Sequence, residues 1–122
     1  MATKVKSKLA QASFTAVSTG RQLIAELRTI RASWTDKIRA RRGAGAWRLA
    51  DALIRQPVVD AAAVAEALDV TPENALRAIT PLVEAGVITE FTGFARNRMW
   101  QSAEVLTALD AFAARTGRRR GL

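Results

Sequence analysis

Asn74 and Arg77 lie three residues apart, and Arg96 and Arg98 follow further along the chain. Side chains of these types read nucleic acid. An amide pairs at two points with an adenine edge, a guanidinium does the same with guanine, and any arginine can neutralise a phosphate. A second basic group, Arg39, Arg41 and Arg42, stands in the run Arg-Ala-Arg-Arg-Gly-Ala-Gly that ends at Gly45. Other chemistry is poorly provided for. The 122 residues include no cysteine and no histidine, which removes thiolates, the commonest general base and the commonest metal ligand. The acids are scattered singly along predicted helix faces, with no pair set for acid–base or metal-assisted hydrolysis. A protein without catalytic activity, cofactor or metal is expected, and no small-molecule substrate is evident.

The formal net charge of +8 is unevenly spread. Residues 1–45 carry ten lysines and arginines against two acids, residues 46–103 five against seven, and residues 104–122 four against two. The basic character therefore belongs to the two ends, and the centre is slightly acidic, which weighs against a uniformly basic binding face. Hydrophobic residues at 49% and charged residues at 25% suit a folded protein and not a disordered one. No apolar run reaches the roughly 18 to 20 residues a membrane span needs. The basic start is followed by no continuous apolar stretch, so neither a signal peptide nor a membrane partner is expected, and a cytoplasmic location is.

The elements that must hold these side chains can be read from periodicity and punctuation. Residues 7–18 form a modest helix with Leu9, Phe14 and Val17, interrupted at Gly20. Residues 21–42 form a stronger one, in which Leu23, Leu27, Ile30, Trp34 and Ile38 make an apolar stripe and Arg21, Arg28, Arg31 and Lys37 join the basic run on the remaining surface. After a hinge at 39–45, residues 46–55 make a helix ended by Gln56-Pro57. Asp60 N-caps a short helix to Leu68. Thr71, with Pro72 at the first helical position and Glu73 beside the positive end, opens a helix to about Ala85. Its core face is Ala75, Leu76, Ile79, Leu82 and Val83, its outward start is Glu73, Asn74, Arg77 and Ala78, and Gly86 stops it. Pro81 inside that helix costs roughly 3 kcal/mol in an ordinary helix and predicts a kink or a division near Thr80. Val87–Phe91 and Arg96–Gln101 read as strands about a turn at 92–95. Ser102 caps a last helix over 103–114.

Two helices on a short turn followed by a hairpin make a winged helix-turn-helix. The expected fold is thus mainly α: three helices, a two-stranded wing and a C-terminal helix, preceded by a helical segment. In domains, residues 1–45 are a basic helical segment for dimerisation or docking, 46–114 the winged helix, and 115–122 a basic flexible tail.

The stretch from Trp47 to Leu109 resembles the C-terminal winged-helix region of Fic (filamentation induced by cAMP) family proteins. The resemblance lies in Ala46-Trp47-Arg48-Leu49, Pro57-Val58-Val59, the run Ala78-Ile79-Thr80-Pro81-Leu82-Val83-Glu84-Ala85-Gly86-Val87, then Thr92-Gly93, Arg96-Asn97-Arg98 and Glu104-Val105-Leu106. Residues 21–42 also look like the helices that join that family's catalytic core to this region, so the likeness covers roughly residues 20 to 115. The family transfers AMP or a related group to protein hydroxyls through a His-Pro-Phe-x-x-Gly-Asn-Gly-Arg motif, which is absent here, so that activity is not implied. The family's inhibitory signature, Ser/Thr-x-x-x-Glu followed by Gly or Asn, fails at Ala85 after Thr80 to Glu84.

The resemblance and the fold imply a regulatory module that binds double-stranded DNA. Asn74 and Arg77 would read bases, while Arg96, Arg98, Arg39, Arg41 and Arg42 would meet phosphates. Against it, Glu73 and Glu84 repel a phosphate backbone, and the same residues suit an ordinary polar surface. The alternative is a protein-interaction module, with the 21–42 stripe folded onto the winged helix, pairing with a second copy or docking on a partner. Trp34, Trp47 and Trp100 fit core packing better than base stacking.

Overall fold

The computed structural model describes residues 2–92 and 97–120 in backbone and 18–92 and 97–117 in side chains. Over these residues the order is α1 (Ala2–Trp34), α2 (Gly45–Arg55), β1 (Val58–Asp60), α3 (Ala61–Leu68), α4 (Pro72–Glu84), β2 (Thr89–Glu90), β3 (Met99–Gln101) and α5 (Ala103–Arg120). The chain is mainly helical, with a small three-stranded antiparallel sheet in the order β1-β3-β2.

Local signals set most boundaries. The Asp60 carboxylate accepts from the Ala63 N–H at 2.7 Å, and the Thr71 hydroxyl from the Asn74 N–H at 3.2 Å, each satisfying a donor that the helix leaves free. At the other end of α4, Gly86 takes φ +74°. The Val87 N–H then reaches the Leu82 carbonyl at 2.9 Å and the Gly86 N–H that of Val83 at 3.0 Å, a Schellman closure that only a residue at ease with positive φ completes cheaply. Pro81 neither divides nor ends α4. It lies in the last turn, where one lost N–H bond is the whole loss of hydrogen bonding.

Four expectations are corrected. Gly20 does not interrupt α1, which is one helix of 33 residues. A helical glycine costs only about 0.5–1 kcal/mol, a sum that packing elsewhere along the helix offsets. The helix stops at Trp34, not at residue 42. Beyond it the Lys37 and Ile38 N–H groups both turn back to the Trp34 carbonyl, so Ile38 is buried from a loop. In place of a two-stranded wing there is a third strand, β1, pairing Val58 with Gln101, Val59 with Trp100 and Asp60 with Met99. The expected tail is helical as far as Arg120, because α5 runs on beyond residue 114. The turn at 93–95, and Arg96 with it, lies outside the described residues.

One core joins all the layers. Trp34, Leu49, Leu53, Val64, Ile79, Leu82, Ile88 and Val105 are fully enclosed. Leu27 and Ile30 pack against the same cluster from α1, so the stripe of the 21–42 segment is largely used within the chain. The Trp34 indole N–H donates to Glu104 at 3.1 Å, and Arg115 stands 3.9 Å from Glu26. These two contacts run in opposite chain directions, so α1 and α5 are antiparallel. A second tie holds α1 to α2: Arg31 bonds Asp51 at 2.7 Å and lies over the Trp47 ring at 5.8 Å.

The Arg115 contact is a weak point. Its Nε and Nη2 are closed off from solvent without an acceptor, and a buried unmet donor costs about 1–3 kcal/mol. The loose pair with Glu26 returns at most about 1 kcal/mol. Arg115→Met, which keeps the stem and removes the donors, is therefore expected to raise the urea midpoint, by the equivalent of about 1 kcal/mol. A lowered midpoint would show that the ion pair outweighs the unmet donors.

Candidate nucleic-acid interface

Gly45, at the start of α2, sits so close to α4 that a Cβ there would lie 3.4 Å from the Ala78 Cβ and 3.7 Å from Leu68. Small residues at this crossing let the two helices approach, and a cleft of about 300 Å³ opens beside it. Arg41, Arg48, Asn74 and Arg77 all line that cleft, with Val70 and Pro81 on its apolar side. Three of the residues picked out in the sequence, Arg41, Asn74 and Arg77, are thus brought together although they come from a loop and a helix far apart in the chain. Arg39 and Arg42 are exposed on the same loop as Arg41. That loop is fixed by Trp47, whose indole N–H reaches the Arg41 carbonyl at 3.1 Å.

Arg48 is the member that sequence reasoning missed. Its guanidinium donates to the Leu68 carbonyl at 3.2 Å, satisfying an acceptor at the end of α3 that the helix leaves open. That use occupies one of five donors. Nothing in the spacing of residue 48 signals this position, which follows from the close crossing at Gly45 and Ala78.

The other flank of α4 has a different character. Arg98 is held by Glu90 at 2.5 Å and lies over the Trp100 ring at 5.0 Å. The hydrogen bond from Glu90, and secondarily its charge, raise the Arg98 pKa above its ordinary value. Beside this pair are Leu76, Val83 and Glu84. Leu76 and Val83, expected in the core, are 39% and 40% exposed, and Ala78, expected to face outward, is buried. The inward face of α4 is Ala75, Ala78, Ile79 and Leu82, rotated from the expected one so that the apolar flank looks toward the hairpin. The outward line left by that rotation is Glu73, Arg77, Thr80 and Glu84, all exposed. Trp34 and Trp100 are buried, and Trp47 is half-buried.

No family model matches this chain, and no curated protein does. Among solved structures it is similar to RV1404 from Mycobacterium tuberculosis, at 18% identity and a TM-score of 0.46, over 88% of this chain and 75% of that one. No helix among the described residues is long and apolar enough to cross a membrane.

Proposed function

We propose that this chain is a non-catalytic winged-helix module that binds double-stranded DNA, the regulatory portion of a Fic-like protein without its catalytic core. The Fic link rests on the sequence resemblance alone. The winged-helix reading is supported by the order of elements: α3 and α4 joined by Asp69 to Thr71, then a hairpin whose β3 also takes up β1. The observation that carries the DNA reading is the convergence of Arg41, Arg48, Asn74 and Arg77 on one cleft. In this reading the first two turns of α4 enter the major groove, so that Asn74 and Arg77 reach base edges. Arg48 and the 39–42 loop take the flanking phosphates. Arg98, neutralised by Glu90, contributes little, and Glu84 keeps the far end of α4 away from the backbone.

A second reading, protein docking without DNA, draws on the opposite flank, where Leu76 and Val83 lie exposed beside Glu84 and Glu90. Anisotropy titration of a short random duplex at several salt concentrations separates the two. Five arginines at about 0.9 each set a log–log salt slope no steeper than about −5, and an observed slope of about −3 to −5 is expected. Arg98→Gln should change affinity by less than about twofold, because its charge is already engaged. Glu90→Gln, which frees that charge and removes a repulsion, should strengthen binding severalfold. An intact chain that fails to bind at low salt would leave the docking reading in place.

A further inference from the structure

The two helices that pack antiparallel differ in length. At 1.5 Å per residue α1 spans about 50 Å and α5 about 27 Å. With Trp34 opposite Glu104 and Glu26 opposite Arg115, α5 ends alongside about residue 20 of α1. About fifteen residues at the start of α1 therefore project past the pair. An isolated helix of that length is marginal in water, so this helical span calls for a surface to pack on.

A suitable surface lies between α1 and α5 on the side away from the core. It is a groove of about 720 Å³, with Ile30 and Ala108 among its apolar lining and Ala25, Thr29, Ala103 and Thr107 among its short side chains. Side chains this small let another helix approach closely. Glu26 and Glu104 also line the groove, and Glu104 spends one oxygen on a neutral indole donor, which leaves its charge unbalanced. The first 25 residues hold Lys4, Lys6, Lys8 and Arg21 and no acid. The projecting helix is therefore cationic and the groove anionic.

We propose that this groove receives the projecting N-terminal part of α1 from a second copy of the chain, so that two chains pair reciprocally. The contact is isologous: each copy offers one groove and one projecting helix, and both are filled in a closed dimer. The pairing needs no DNA, so it stands or falls separately from the nucleic-acid reading.

The test is the molar mass of the full chain in solution, measured by sedimentation equilibrium without DNA over a range of concentrations. The wild type should reach twice the mass of a single chain at high micromolar concentration. Ala25→Arg with Thr107→Arg fills the groove at two exposed positions, and should weaken pairing by about tenfold or more with the helical circular dichroism retained. Replacing Lys4, Lys6 and Lys8 with Glu should weaken it comparably, and added salt should weaken the wild type in the same direction. A monomer at all concentrations would overturn the proposal, as would a dimer whose mass ignores either the groove pair or the lysine triple.

Discussion

Trp34→Ala should cost about 3–5 kcal/mol of folding stability, the range for removing a large aromatic side chain from a core. Against a typical total of about 5–15 kcal/mol, that is a third or more, and a fall of roughly 10–20 °C in Tm follows for a chain of this size. The reason is position as well as volume. Trp34 is fully enclosed, ends α1, and joins α5 through Glu104, so its loss opens a cavity where α1, α5 and the core meet. Two controls separate packing from the hydrogen bond. Trp34→Phe keeps most of the ring and should cost about 1–2 kcal/mol, and Glu104→Gln keeps an acceptor and should cost less than about 1 kcal/mol. Urea unfolding followed by circular dichroism, with an unchanged slope and a lowered midpoint, is the readout. A Trp34→Ala loss below about 1 kcal/mol would mean that α1 is not part of the cooperative unit.

Combined replacement of Arg41, Arg48 and Arg77 with Gln should weaken DNA binding by on the order of a hundredfold at low salt and flatten the salt slope by nearly three units. The effect is large because the three guanidinium groups border one cleft and act on one stretch of backbone. Arg48→Gln alone also frees the Leu68 carbonyl, a cost to stability of about 1 kcal/mol, so each variant must first show an unchanged unfolding transition at the temperature of the titration. The three residues should then divide. Arg41 and Arg48 should lower affinity for every duplex alike. Arg77→Ala should cost a further roughly 1 to 3 kcal/mol on a preferred site and little on random DNA, as a residue that reads a base edge does. Losses that track Arg118, Arg119 and Arg120 instead, with the cleft triple silent, would reduce the interaction to a non-specific attraction of the basic end.

The sequence by itself determined the features whose cause is local. Asp60, Thr71 and Ser102 cap the helices that follow them, and Gly86 closes α4, because each device links residues three to five apart. The absence of histidine and cysteine is equally plain from composition. Periodicity located α2, α3 and α4 to within a residue or so, since their apolar spacing is helical and their ends carry stop signals. It misjudged the rotation of α4 by about one residue's turn, putting Leu76 and Val83 inside and Ala78 outside. The close crossing at Gly45 decides that rotation, and no apolar count records it. Strand β1 was hidden for a related reason. Three residues after a proline have no period of their own, and Val58 to Asp60 become a strand only by pairing with Met99 to Gln101, some forty positions away. The continuity of α1 through Gly20 is likewise a tertiary result, in which packing along α5 and the core outweighs a single glycine. The cleft belongs to the same class: Arg48 joins Arg41, Asn74 and Arg77 through a helix crossing. The pairing of Arg98 with Glu90 depends on hairpin register. Residue types announced which chemistry the chain could perform, but long-range packing decided which arginines share a surface and which are already neutralised, because charge acts over distances in space that sequence separation does not measure.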